Sequence, residues 1–140
     1  MLAVVALVAG CSADAGGIVV TGIRLGQPTG PNAALYLTAT NDGSPDRLLG
    51  AETDLAASAE IHETVTGADG TVTMRAVEAV DLGRGDTVGL EPGAIHLMLF
   101  DVPPLAVGDT VQVTLVWEHA GPILVEAEVV DPTDTMGDDG

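Results

Sequence analysis

Short runs in which apolar and polar residues alternate recur along most of the chain. The aliphatic residues occupy every second position, for example, in Ile95-His96-Leu97-Met98-Leu99. Because successive side chains of a β-strand point to opposite faces, this period of two predicts strands with one buried face. No stretch keeps a helical period. The pattern predicts nine strands: Ile18–Leu25, Ala33–Thr40, Arg47–Thr53, Ala59–Thr66, Thr71–Val77, Thr87–Leu90, Ile95–Phe100, Thr110–Trp117 and Ile123–Val130.

Gly, Pro, Asn and Asp cluster between these strands and mark tight turns. Examples are Asn41-Asp42-Gly43-Ser44-Pro45 and Glu91-Pro92-Gly93. Short strands at this even spacing are typical of an antiparallel β-sandwich or barrel. The sequence therefore predicts an all-β domain over residues 18–130.

The start of the chain departs from this pattern. Residues 1–10 form an uncharged apolar run as long as a signal-peptide core, and shorter than the roughly 20 residues that cross a bilayer. The run ends in Leu7-Val8-Ala9-Gly10-Cys11, which resembles a bacterial lipobox. We therefore expect residues 1–10 to be a signal-peptide remnant, and residues 11–17 to be a lipidated Cys11 with a flexible tether. A ragged terminus with a free thiol is the alternative.

Composition narrows the classes of function. The chain has 140 residues, which suits one domain, and 46% of them are apolar. Only Tyr36, Phe100 and Trp117 are aromatic, so the core must be aliphatic. The formal net charge of −17 argues against unaided binding to nucleic acids or anionic membranes, which need a basic patch. One explanation of the negative charge is solubility or adaptation to a salty habitat. The other is a surface that attracts cations or basic partners.

The other end of the chain is also acidic. Residues 131–140 contain four Asp and no alternation, so we expect a disordered tail. This tail contains no His.

Two pairs of His and Met stand out in the predicted strands. His96 and Met98 fall on one face of their strand, opposite the aliphatic residues. His62 and Met74 lie in neighbouring predicted strands, so the four side chains could form one site. Each residue alone has an ordinary explanation, since Met often fills cores and His often lies at the surface. The set is more informative, because it contains both Met residues of the predicted domain and two of the three His.

The chemistry of these side chains favours copper. A thioether sulfur is a soft, neutral ligand that suits Cu(I), and imidazole accepts either oxidation state of copper. Cys11 is the only cysteine, so the mature domain cannot build the His₂Cys site of a blue-copper electron carrier. The pattern therefore indicates carriage of the ion rather than electron transfer.

The spacing of these residues resembles a known signature. It is similar to H(M)X10MX21HXM, the motif of the PCu(A)C family of periplasmic copper chaperones. In this chain, His62 and position 63 are followed by ten residues and Met74, and then by twenty-one residues and His96-Leu97-Met98. Surrounding blocks such as Glu60-Ile61-His62-Glu63-Thr64 are also similar, and the resemblance extends from about Ala33 to Val130. Position 63 is Glu where the motif allows Met.

The resemblance implies a fold and a function. It implies a cupredoxin-like antiparallel β-sandwich or Greek-key barrel that binds one Cu(I) ion through His62, Met74, His96 and Met98. It also implies copper delivery toward the Cu(A) centre of a haem-copper oxidase, often together with Sco-type proteins. Because the tail contains no His, a second copper site is not expected.

From the same residues we expect an extracytoplasmic monomer that contacts the cell membrane only through a lipidated Cys11, or is periplasmic. Copper would pass to the acceptor by ligand exchange. Two alternatives stay open: a copper-storing or buffering lipoprotein without a dedicated acceptor, and an acidic interaction module that binds no metal.

Other candidate residues carry less information. His119 lies outside the signature and is interpreted as a surface residue, and Trp117 as a core or edge aromatic. Arg75 could hydrogen-bond a neighbouring carboxylate, tune access to the site, or be an ordinary surface residue of the sheet. The sequence contains no Gly-rich phosphate loop, G-x-S-x-G elbow or H-E-x-x-H motif, so it does not predict an enzyme.

Overall fold

The computed structural model describes residues 12–15, 17–28, 30–92 and 94–131. Within these residues the chain forms eleven strands and no helix. The strands are β1 (Ser12–Ala15), β2 (Ile18–Gly26), β3 (Ala33–Asn41), β4 (Asp46–Glu52), β5 (Ser58–Thr66), β6 (Val72–Val77), β7 (Val80–Leu82), β8 (Thr87–Leu90), β9 (Ile95–Phe100), β10 (Thr110–Trp117) and β11 (Gly121–Val130).

The predicted signal-peptide remnant, Cys11 and residues 132–140 of the predicted tail lie outside the described residues. In the described part of the chain, no helix is long and apolar enough to cross a membrane.

All the strands belong to one sheet that curls into a nearly closed barrel. Its order is β6-β5-β9-β8-β3-β2-β11-β10-β4-β7, β9 also pairs with β3, and β1 pairs with β2. Most neighbours are antiparallel, as predicted, while β11 runs parallel to β2 and β8 runs parallel to β9. The all-β prediction is confirmed, and the nine predicted strands begin and end within two residues of nine of the eleven observed ones. Strands β1 and β7 were not predicted.

The barrel interior is filled by the aliphatic half of each alternating strand. In β3, alternate residues from Ala33 to Asn41 are buried. Leu97 and Leu99 of β9 are fully buried, and Trp117 at the end of β10 is 2% exposed. Burying one such side chain contributes about 1.5–3 kcal/mol to folding, so the alternation of each strand fixes which face turns inward.

The structure corrects one boundary at the start of the chain. Ser12–Ala15, predicted as part of a flexible tether, form strand β1 and pair with residues 18–21 of β2. The reversal between the two strands includes Gly17 at φ 93°, a conformation that glycine adopts without strain. Backbone pairing rather than apolar alternation defines this strand, which explains why the sequence pattern does not show it.

One buried carboxylate holds the start of β4 against the turn between β10 and β11. Asp46 is 6% exposed, and its Oδ1 accepts hydrogen bonds from the backbone N–H groups of Arg47 and His119, both at 2.8 Å. Its Oδ2 accepts from the backbone N–H of Ala120 at 2.9 Å. The His119 side chain is 67% exposed, in agreement with its interpretation as a surface residue.

Candidate metal centre

Three neighbouring strands, β6, β5 and β9, carry the four predicted ligands. His62 of β5 lies directly opposite His96 of β9. Met98 is two residues further along β9, on the same face as His96 and opposite Glu60 of β5. Because Leu97 points into the core, this shared face is the outer surface of the barrel.

Met74 lies at the edge of this group. It is on β6 opposite Thr64, while His62 is opposite Ala76. Met74 and His62 are therefore diagonal neighbours, whose Cβ atoms lie about 7–8 Å apart in an antiparallel pair, within reach of a long side chain. The four residues form a diagonal stripe across the three strands, with the two imidazoles at its centre.

The imidazoles are held among other rings. The centroids of His62 and His96 are 5.7 Å apart, with the rings inclined by 70°. Tyr36 of β3 lies 6.2 Å from His96, and Phe100 lies 5.9 Å from His62. These neighbours leave His96 only 3% exposed although it is on the outer face, and 16% of the His62 side chain remains exposed.

Each imidazole has one buried nitrogen with no hydrogen-bond partner in the described part of the chain. These atoms are Nδ1 of His62 and Nε2 of His96. A buried polar atom without a partner costs about 1–3 kcal/mol, so natural proteins rarely leave one on each of two neighbouring rings. A metal ion bound by both residues would satisfy the two nitrogens, which makes this pair the strongest indication of a metal centre.

The second nitrogen of His62 has a carboxylate partner. His62 Nε2 lies 2.9 Å from Oε1 of Glu60, which is on the same face of β5 two residues earlier. The hydroxyl of Thr64, two residues later, is buried and has no partner within the described ranges.

The electrostatics of the site keep one imidazole neutral. Burial lowers the pKa of His96 below its ordinary value of about 6.5, and the charge of a protonated His62 lowers it further. The ring of His96 is therefore uncharged at neutral pH, the form that can offer a lone pair to a metal.

The four predicted ligands differ in exposure. His96 is buried, Met98 is partly buried, and Met74 is 56% exposed on the edge strand β6. The site therefore places its nitrogen donors inside and a thioether at the rim, open to a second molecule.

Sequence analysis did not identify three residues of the site: Tyr36, Glu60 and Phe100. Phe100 lies two residues beyond Met98 and Glu60 two residues before His62, so strand alternation could have placed both on this face. Tyr36 comes from a strand distant in sequence and could not be found in this way. Burial raises the pKa of Tyr36 above its ordinary value, and the Arg24 guanidinium, 5.7 Å from the ring centroid, offsets only part of this increase.

Residues on the other face of the hairpin stay outside the site. Glu63 points away from His62, and its Oε1 accepts a hydrogen bond from Arg75 Nε at 3.2 Å and forms an ion pair with Arg75 Nη2 at 3.1 Å. In the described ranges no group of three or more His, Cys, Asp or Glu side chains is arranged to hold a metal ion.

Comparison with known proteins gives a consistent result. The family model described as "Putative lipoprotein LpqE-like" matches residues 18–129. No match is found among curated proteins.

Several solved structures are similar in fold. The copper-bound PCuAC domain from PmoF2 is 27% identical, with a TM-score of 0.73 over 86% of this chain and 98% of that domain. The apo PCuAC domain from PmoF1 is 28% identical, with a TM-score of 0.74 over 86% of this chain and 99% of that domain. CuI-DR1885 from Deinococcus radiodurans is 30% identical, with a TM-score of 0.64 over 86% of this chain and 80% of that protein. The predicted cupredoxin-like fold is confirmed.

Proposed function

Since the chain belongs to the LpqE-like family of putative lipoproteins and shares its fold with PCuAC domains, we propose that it is an extracytoplasmic copper chaperone that carries one Cu(I) ion. The observation that carries this proposal is that His62 and His96, whose ring centroids are 5.7 Å apart, each have a buried nitrogen with no partner in the described part of the chain. The likeness to a copper-bound PCuAC domain and to CuI-DR1885 supports it.

The proposed ligands are His62, Met74, His96 and Met98. Cu(I) is the cargo, and the neutral donor set suits it because thioether sulfur prefers soft, low-charge ions. A hard ion such as Ca²⁺ or Mg²⁺ would need several oxygen ligands. The carboxylate of Glu60 contacts the site, but through a hydrogen bond with His62 Nε2.

The exposure of the ligands suggests the order of release. Met74 is exposed on an edge strand, so a ligand from an acceptor can replace its thioether first. The partly buried Met98 and His62 follow, and the buried His96 gives up the ion last. Exchange in this order needs no rearrangement of the barrel.

The proposed acceptor is the Cu(A) site of a haem-copper oxidase, directly or through a Sco-type protein. The proposed location is the outer face of the cell membrane or the periplasm, with Cys11 as the lipid-bearing residue. The description of the matched family as a putative lipoprotein supports this anchor.

A transfer experiment separates a chaperone from a copper buffer or a metal-free interaction module. The Cu(I)-loaded protein is mixed with the copper-free Cu(A) domain of an oxidase, and copper in each protein is measured after separation. The proposal predicts transfer faster than from a small-molecule Cu(I) chelate of equal affinity. Equal rates would indicate a buffer, and failure to load would favour the interaction module.

The two methionines are expected to contribute unequally to copper retention. Met98→Ala should weaken Cu(I) binding by at least about tenfold, because Met98 is beside the buried His96, and Met74→Ala should weaken it less. Competition with a chromophoric Cu(I) chelator measures both affinities. Thermal unfolding is the control, and both metal-free variants should unfold near the wild-type temperature. If Met98→Ala unfolds the domain, Met98 is a packing residue instead.

The affinity for Cu(I) is expected to weaken as the pH is lowered. Because the pKa of His96 is below its ordinary value, this ring stays neutral at pH 7 and protons compete with Cu(I) only as the pH drops below about 6.5. The same competition titrated from about pH 7.5 to pH 5 should show progressive weakening. An affinity that stays constant over this range contradicts imidazole ligation.

A further inference from the structure

His62 makes one hydrogen bond whose direction is determined by chemistry. Its Nε2 lies 2.9 Å from Oε1 of Glu60. An ionised carboxylate can only accept hydrogen bonds, so Nε2 must carry the proton. In a neutral imidazole the other nitrogen, Nδ1, then holds the lone pair. Nδ1 is the atom of His62 that is buried and has no partner in the described structure.

We propose that Glu60 is a positioning residue that fixes the tautomer and orientation of His62 so that Nδ1, not Nε2, binds the copper ion. This inference rests on the proposed function and adds which nitrogen of His62 binds the ion. Metal-binding imidazoles commonly donate their second N–H to a carboxylate, which orients the ring and makes the free nitrogen more basic.

The surroundings of Glu60 favour this role over one in folding. Its side chain is 52% exposed, and an exposed pair of this kind adds little to the stability of a domain. Glu60 is nevertheless directly opposite Met98 in the β5–β9 register, so it borders two of the proposed ligands. Phe100, opposite Ser58, packs against the His62 ring and limits its rotation.

The charge of Glu60 has a second consequence for the cargo. A carboxylate hydrogen-bonded to an imidazole that binds Cu(I) partly balances the charge of the ion without being a ligand itself. The ligands of the ion are thus nitrogen and sulfur atoms only, while the negative charge that balances the ion belongs to a residue that does not bind it.

The test uses Glu60→Ala, Glu60→Gln and a matched control, Glu63→Ala. Glu63 is on the same strand but the opposite face, where it pairs with Arg75. Two quantities are measured for each protein: the ring ¹⁵N shifts of His62 in the metal-free state, which report the tautomer, and the Cu(I) affinity by chelator competition.

The proposal predicts that wild-type His62 carries its proton on Nε2 in the metal-free protein. Glu60→Ala should mix the tautomers and weaken Cu(I) binding by about 10–100-fold. Glu60→Gln, whose amide oxygen still accepts the hydrogen bond, should restore the tautomer and part of the affinity. Glu63→Ala should match the wild type in both measurements.

Either of two results would overturn the proposal: a proton on Nδ1 in wild-type His62, or a Glu60→Ala affinity within about threefold of the wild type. The tautomer is measured without metal, so it remains informative if the wild type binds no Cu(I). That last outcome contradicts the proposed function instead.

Discussion

Replacement of His96 by leucine is expected to abolish tight Cu(I) binding and to leave the metal-free domain as stable as the wild type. The imidazole is 3% exposed and its Nε2 has no partner among the described residues, so the metal-free protein bears the cost of a buried polar atom. Leucine has no polar atom to leave unpaired and can fill the space beside Tyr36. The Cu(I) affinity should fall at least about 100-fold, because a ligand is lost rather than a supporting group.

The control for this substitution is Leu97→Ala, on the same strand but in the core. Leu97 is fully buried, so its truncation should lower the free energy of unfolding by about 2–5 kcal/mol. The fraction that remains folded should still bind Cu(I). Chemical denaturation and chelator competition on both variants measure the two effects. A His96→Leu variant that unfolds like Leu97→Ala would make His96 a structural residue.

Replacement of Asp46 by alanine is expected to cause a large loss of stability. Its carboxylate accepts backbone hydrogen bonds from Arg47, His119 and Ala120, and alanine leaves all three N–H groups without that partner. Hydrogen bonds to a charged acceptor are stronger than neutral ones, so we expect a loss of about 3 kcal/mol in the free energy of unfolding. Asp46→Asn should lose less, because its amide oxygen still accepts.

The pH dependence of unfolding provides a second readout for Asp46. Burial opposes ionisation of this carboxyl, but the three N–H donors outweigh it and lower the pKa below its ordinary value of about 3.9. A group with a lowered pKa in the folded state stabilises the protein fully above its ordinary pKa and loses this effect as the pH falls through the folded pKa. Asp46→Asn should remove that part of the acid sensitivity.

Asp81→Asn is the control, since Asp81 is 81% exposed and pairs with Arg47 at the surface. It should unfold as the wild type does. An Asp46→Ala variant as stable as this control would contradict the assigned role of the buried carboxylate.

The fold was largely predictable because the alternation of apolar and polar residues within each strand shows which face of the strand is buried. In β3, for example, Leu35, Leu37 and Ala39 alternate with Tyr36 and Thr38, and burial follows the same alternation. A register error of one residue would expose the aliphatic side chains, so the pattern allows one solution. Strand β1 was missed because Ser12–Ala15 pair through their backbone without such a pattern.

The candidate site was predictable in its residues but not in its internal arrangement. The spacing of His62, Met74, His96 and Met98 places them in neighbouring strands, yet only the register shows that the two His are directly opposite each other. The same register makes Met74 a diagonal neighbour on an exposed edge. Tyr36 covers His96 through pairing of β3 with β9, a long-range contact that local sequence patterns do not encode.

The most direct test of the central claim is an anaerobic Cu(I) titration of the protein spanning residues 12–140 against a chromophoric Cu(I) chelator. The wild type and His96→Ala/Met98→Ala are titrated in parallel. The account predicts that the wild type takes up one equivalent of Cu(I) and that the double variant does not compete with the chelator. No competition by the wild type, or equal uptake by both proteins, would contradict a copper centre on this face of the barrel.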